Sequence, residues 1–125
     1  MNFDWEEIHS ECLKISVKTR TNEFKEMCNE GAKFIIKDMN SDIVGRLYDV
    51  CGNAYIKFKD KRNKFAKEYK KYINSLESSH SEDSFTLYQK SGRQELRINK
   101  AIADAVADHL NEKYNANVMV KYYVD

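Results

Sequence analysis

Residues 56–76, IKFKDKRNKFAKEYKKYINSL, hold more lysine than any other stretch of the chain, and how they fold decides how the rest is arranged. Extended by two residues at its start, the segment sets Tyr55, Phe58, Arg62, Phe65, Tyr69, Tyr72 and Leu76 at alternating spacings of three and four. Such a heptad seam predicts one uninterrupted helix over 54–77, roughly 35 Å long at about 1.5 Å per residue. Arg62 alone breaks the seam. A guanidinium buried there without a partner would cost several kcal/mol, so it must reach water along its stem or meet a carboxylate. The expected acceptors are Glu23, Glu26, Glu30 or Asp38 of a preceding helix.

The remaining faces carry Lys57, Lys59, Lys61, Lys64, Lys67, Lys70 and Lys71; with Arg62 these eight cations stand against Asp60 and Glu68, a local charge of +6. Phosphate recognition needs several cations on one connected surface, because affinity comes from releasing counterions condensed on the polyanion. A helix packed on one side must also be polar on the other, and lysine serves that purpose equally well. Two features favour binding. Carboxylates are scarce among these lysines although the chain elsewhere is acidic, and a purely structural surface helix more often interleaves Glu with Lys at i,i+4. Lys57, Lys61, Lys64, Lys67 and Lys71 are therefore the expected anion contacts, with the seam aromatics as packing residues.

Upstream, Trp5, Ile8 and Cys12 fall on one helical face behind an acidic first turn. Residues 13–19 alternate like a strand, but the helical face continues through Ile15 and helix is the preferred reading. A helix over 22–38 sets Phe24, Met27, Cys28, Gly31 and Ile35 on one face, and a shorter one over 41–50 turns Ile43, Val44, Leu47 and Val50 inward. Downstream of a polar linker (77–84) the period changes. SFTLYQK (84–90) and RQELRIN (93–99) read as strands joined around Ser91-Gly92. Asn99 caps a helix over 100–114 with Ile102, Ala105, Val106, His109 and Leu110 inward, and NVMVKYYV (117–124) is a closing strand. The expectation is an α+β fold in one domain spanning 1–125: a mainly helical part (1–77) of three to four helices, one of them long, then a ββαβ unit (84–125) with an antiparallel or mixed sheet.

If Phe85, Leu87, Leu96, Ile98, Val118, Val120 and Tyr122 face the helices, the opposite sheet face carries Thr86, Tyr88, Arg97, Met119, Lys121 and Tyr123. Aromatic and basic residues interleaved on an open sheet can stack on bases and hold phosphates, which adds Tyr88, Arg97, Lys121 and Tyr123 to the candidate site. The same face could equally be an interface between copies.

Composition narrows the classes further. Hydrophobic residues make up 42% of the 125, which suits a folded domain, and a net charge of +1 leaves only the distribution of charge informative. The wealth of Lys, Asn, Ile and Tyr suits an AT-rich genome, such as that of a low-GC bacterium or its phage. Cys12, Cys28 and Cys51 sit at apolar helical positions and read as buried, reduced thiols. The start of the chain has no apolar leader, and no window approaches the length of a membrane span, so a soluble cytoplasmic protein is expected. The glycines stand alone at 31, 45, 52 and 92, which excludes a phosphate loop. No Ser or Cys has a His and carboxylate at motif spacing, so neither a catalytic set, a metal site nor a cofactor is expected. The resulting expectation is a small non-enzymatic binding protein, in the manner of a phage or mobile-element inhibitor. Its partner is nucleic acid, a nucleotide or an acidic protein surface, and it forms a dimer or higher homo-oligomer. The rivals are a small nuclease or nucleotide-processing enzyme centred on His9, His80 or Arg97 and a purely structural homo-oligomer.

Overall fold

A computed structural model of the chain describes residues 3–60, 62–76, 84–85 and 95–124. A single helix, α1 (Trp5–Glu30), replaces the two that the sequence predicts in this region. Asp4 starts it by accepting from the Glu7 backbone N–H at 3.2 Å, and Glu6 and Glu7 sit where the helix end is positive. The strand-like alternation of residues 13–19 gives way to helix, as the preferred reading has it. Ile8, Cys12, Ser16 and Met27 form its buried stripe, and the Ser16 hydroxyl is satisfied by the Cys12 carbonyl at 2.8 Å. The helix ends where Gly31 takes φ 91°, which a side chain would resist. The expected continuation to residue 38 is therefore corrected.

Phe34–Lys37 is instead strand β1, paired antiparallel with β2 (Ile43–Leu47), where the sequence predicts a short helix. Ile35 and Ile36 in β1 and Ile43 and Val44 in β2 are β-branched and suit strands, and the turn between them has its own chemistry. The Asp38 carboxylate accepts from the Asn40 and Asp42 backbone N–H groups at 2.9 and 3.0 Å, and Ser41 takes a left-handed φ of 65°. Phe34, Ile35, Ile36, Ile43 and Val44 remain exposed, as does Met39 at the turn.

The long helix over 54–77 is not formed. Its first third is strand β3 (Gly52–Phe58), the centre of a second sheet ordered β4-β3-β5 with β4 at Ser84–Phe85 and β5 at Val118–Val124, both antiparallel to β3. Ala54, Ile56 and Phe58 are buried on one face while Asn53, Tyr55 and Lys57 occupy the other. Tyr55 and Phe58, three apart, share a helical face but lie on opposite sides of a strand. Helix α2 (Lys64–Leu76) begins only after a break built from side chains. Asp60 accepts from the Arg62 backbone N–H at 2.9 Å, and Asn63 caps the helix by accepting from Phe65 N–H at 2.8 Å.

Helix α3 (Leu96–Tyr114) begins four residues before the predicted start, so the expected strand over 93–99 is corrected from Leu96 onward; the Ser91-Gly92 hairpin lies outside the described residues. Leu96, Ile98 and Asn99 are buried in the first turn. Asn115 ends the helix in the left-handed region at φ 52°, and the Asn111 side chain stitches the next strand on, donating to Val118 O at 3.0 Å and accepting from Val118 N at 2.8 Å.

Helix α3 lies between α1 and the three-stranded sheet. Its Ile98, Ile102, Val106 and Leu110 share one core with Ile56, Phe58 and Val118 of the sheet and with Ile8, Cys12 and Met27 of α1, each large side chain contributing roughly 1.5–3 kcal/mol of apolar burial. Helix α2 closes one end through an aromatic cluster in which Trp5 stacks on Tyr72 at 5.7 Å and packs against Phe65 at 5.0 Å. The class is α+β as expected, with three helices and two small antiparallel sheets among the described residues, in a different order. Among these residues no helix is long and apolar enough to cross a membrane. Cys12 is buried, but Cys28 faces solvent and Cys51 is half-buried, which corrects the expectation that all three lie in the core.

Candidate anion-binding surface

On α2, Phe65, Ala66 and Tyr69 are buried, and at 100° per residue the opposite stripe is Lys64, Lys67 and Lys71, all exposed. Glu68 reaches Lys71 at 4.0 Å, a marginal and solvated pair. The lysine stripe therefore exists, on a shorter helix than expected. Lys57 stands apart from it, on strand β3.

There the pairing of β3 with β5 composes a second basic surface. Tyr55 lies opposite Lys121, Lys57 opposite Met119 and Asn53 opposite Tyr123, all on the face turned away from α3. Lys121 and Tyr123 are exposed, while Tyr55 and Lys57 are half-buried. Directly opposed residues of an antiparallel pair bring their side chains within about 5.5 Å. Aromatic rings and ammonium groups thus alternate across neighbouring strands. Tyr55 was legible only through the period-two alternation of 53–58, which the heptad seam masked. Lys61 and Tyr88 lie outside the described residues.

Arg97 belongs elsewhere, and its expected place on the sheet is corrected. In the first turn of α3 it faces α1, where its Nε donates to Glu23 at 3.0 Å and its other nitrogens reach Glu26 at 3.2 Å and Glu30. The hydrogen bonds it donates to Glu30 and Glu23 push its pKa further above the ordinary guanidinium value. Three carboxylates occupy this cation, so it offers nothing to an external phosphate. These same glutamates are the partners expected for Arg62. Arg62 instead projects into solvent and pairs with Asp60 at 3.3 Å. Its backbone N–H, assisted by the guanidinium, holds the Asp60 carboxyl below the usual range.

A second polar cluster joins α1 to α3. Glu11 accepts from His109 Nε2 at 3.2 Å, from Tyr114 OH at 2.5 Å and from the Lys113 ammonium. Lys113, then Tyr114, hold the Glu11 carboxyl down to about 2. Burial, reinforced by Glu11, pushes the Tyr114 hydroxyl up to about 12. A carboxylate engaged by three donors is a structural anchor between helices. Of the residues expected at the centre of a nuclease, His9 lies against the Tyr72 ring and Arg97 is held by the glutamates at the other end of α1, so these two do not meet; His80 is outside the described residues. Among the described residues, no group of three or more His, Cys, Asp or Glu side chains is placed to hold a metal. No known family model matches the chain, and no curated protein or solved structure matches it either.

Proposed function

We propose that this chain is a small binding protein that engages a polyanion, single-stranded nucleic acid in the first instance, without processing it. The observation that supports this most is the cross-strand placement of Tyr55 against Lys121, flanked by Lys57 and Tyr123 on the sheet face turned away from the helices. Base rings stack on exposed aromatics with little regard to sequence, and neighbouring ammonium groups hold the backbone. The lysine stripe of α2 offers a second positive surface to the same kind of partner. A protein of this kind acts by occupying a nucleic acid or the site that a nucleic acid would occupy, as a compact regulator or inhibitor does.

Fluorescence anisotropy with labelled single-stranded and duplex oligonucleotides tests the reading. Binding should weaken linearly on a logarithmic scale as salt rises. Combined Lys64→Glu, Lys67→Glu and Lys71→Glu replacement should weaken it at least tenfold while leaving the fold intact by circular dichroism. Affinity that survives this charge reversal in low salt removes the helix from the site. Affinity that also survives Tyr123→Ala and Lys121→Ala removes the proposal.

A further inference from the structure

Strand β5 ends the order β4-β3-β5, so among the described residues only one of its two edges is paired, along seven residues from Val118 to Val124. An open edge of this length presents a row of unused backbone donors and acceptors, which proteins ordinarily shorten, cover or charge. Here the last residues are also bare and largely apolar: Tyr122, Tyr123 and Val124 are 57%, 50% and 60% exposed. We propose that this edge pairs with the same edge of a second copy, about a two-fold axis perpendicular to the sheet at Tyr122, giving a continuous antiparallel sheet through both protomers.

The strand is complementary to itself in that register. A perpendicular two-fold keeps the faces of the sheet, so residues of equal parity oppose each other. Centring on Lys121 would set two ammonium groups directly opposite, which is unfavourable. Shifting the centre to Tyr122 places Lys121 opposite the second copy's Tyr123, a cation against a ring, twice over. On the other face it sets Val120 against Val124 and Tyr122 against itself. Centring on Val120 would leave Tyr123 and Val124 beyond the paired strand, the two residues that most need cover.

The surroundings of the edge fit the same occupant. Between α3 and β5 runs a groove of about 290 Å³, floored by Val118, Val120 and Tyr122 and rimmed by Lys100, Asp104 and Asp108. Lys100 pairs with Asp104 at 3.0 Å and lies 5.2 Å from the Tyr122 ring centre. In the two-fold arrangement this rim meets its own copy. A rim of one sign would repel itself; one carrying both signs can exchange partners across the axis. At the far end of the strand Val124 borders a second groove, of about 340 Å³, with Phe34 and Val50, so apolar surface continues past the last paired residue. The inference stands on edge geometry and does not rest on the polyanion reading, although the pairing would set two Tyr55–Lys121 faces side by side.

Sedimentation velocity of the full chain over a concentration series tests it. The native chain should pass from monomer to dimer. Tyr122→Asp opposes its own copy and should weaken the dimer at least tenfold. Tyr123→Lys faces Lys121 of the other protomer and should weaken it comparably, whereas Tyr123→Glu should keep or tighten it. Combining Lys121→Glu with Tyr123→Lys restores opposite charges and should restore the dimer. A native chain that stays monomeric into the millimolar range overturns the proposal. So does a dimer indifferent to the sign of charge at position 123, since its contact would lie elsewhere. All the altered side chains are exposed, and unchanged circular dichroism separates lost pairing from lost folding.

Discussion

Arg97 donates through Nε to Glu23 at 3.0 Å, joining the first turn of α3 to α1 across 74 residues of chain. Glu26 and Glu30 complete the arrangement from the same helix face, spaced three and four residues on. Replacing Arg97 by Met therefore removes an ion pair and also leaves three carboxylates on one helical stripe without their shared cation. Because Glu26 and Glu30 are more than half exposed, solvent tempers the cost, and the expected loss is about 1–2 kcal/mol. Arg97→Lys should recover only part of it, since one ammonium cannot span three acceptors. Urea denaturation in low and high salt checks this, with the deficit shrinking as salt rises. A Met variant as stable as the native chain in low salt would show that the cluster is decorative.

Glu11 contributes to the acid limb of stability and Tyr114 to the alkaline one. A carboxyl whose folded pKa is depressed binds its proton more readily when unfolded. Its contribution is complete above the ordinary value of 4.5 and fades as pH falls towards about 2. Tyr114 is shifted upward, so its contribution is complete below its ordinary value of 10.0 and fades as pH rises towards about 12. Glu11→Gln should flatten the acid limb and also soften the alkaline one, because Glu11 helps to raise Tyr114. Tyr114→Phe should remove the alkaline contribution and also weaken the acid limb, because the Tyr114 hydroxyl helps to hold Glu11 down. Denaturation midpoints across both pH windows report this, and identical profiles for native and Glu11→Gln chains would contradict it.

What the sequence withheld follows from competing periods. Residues 54–58 satisfy both a heptad seam, through Tyr55 and Phe58, and a strand alternation, through Ala54, Ile56 and Phe58. With no proline or glycine between 53 and 91, nothing in composition marks the break. The break is made by Asp60 and Asn63, whose side chains bond backbone N–H groups two residues on. That turn signal was present but weaker than a three-repeat seam. Residues 34–47 depart from the helical expectation for a related reason. Apolar runs such as FIIK fit helix and strand alike, and Gly31 falls on a helical face by spacing although it terminates the helix. Helix α3 from residue 100 onward and strand β5 are legible because each shows one period without a rival. The candidate surface is legible in the same uneven way: Lys64, Lys67, Lys71, Lys121 and Tyr123 lie on solvent faces, but the alternation of 93–99 points to a strand at Arg97, whose helix starts before Asn99.

On the sheet face, rings and cations should divide the work in a measurable way. Lys121→Ala should lower the salt dependence of single-strand binding by roughly one counterion's worth of slope. Tyr123→Ala should leave that slope unchanged and weaken binding by about 1–3 kcal/mol, the value of one stacked base. If the tyrosine variant changes the slope and the lysine variant does not, the face is working through packing or assembly and not through stacking and phosphate contact.

Gly52 is the position where the sheet tolerates least. It lies at the start of β3, opposite the end of β5, and a Cβ built there would sit 2.5 Å from the Tyr123 carbonyl oxygen and 3.0 Å from Leu96 Cβ. Neither neighbour can yield cheaply. The carbonyl belongs to the backbone of the paired strand, and Leu96 opens α3. Asn99 pins the glycine from the helix side as well, donating from Nδ2 to the Gly52 carbonyl at 2.9 Å. Gly52→Ala should therefore pry β5 from β3 at its exposed end and cost about 2–3 kcal/mol, the upper range for overpacking a filled site. Gly45 in β2 is the internal control. There the nearest atom is Ile36 Cδ1 at 3.4 Å, the tip of a movable and exposed side chain. Gly45→Ala should be close to neutral, or stabilising by a few tenths of a kcal/mol through reduced freedom of the unfolded chain. Thermal and urea midpoints of the two variants give the comparison. The reverse order of stability would mean that β5 is free to shift at Tyr123, and the register drawn for the β3–β5 pair would have to be abandoned at that end.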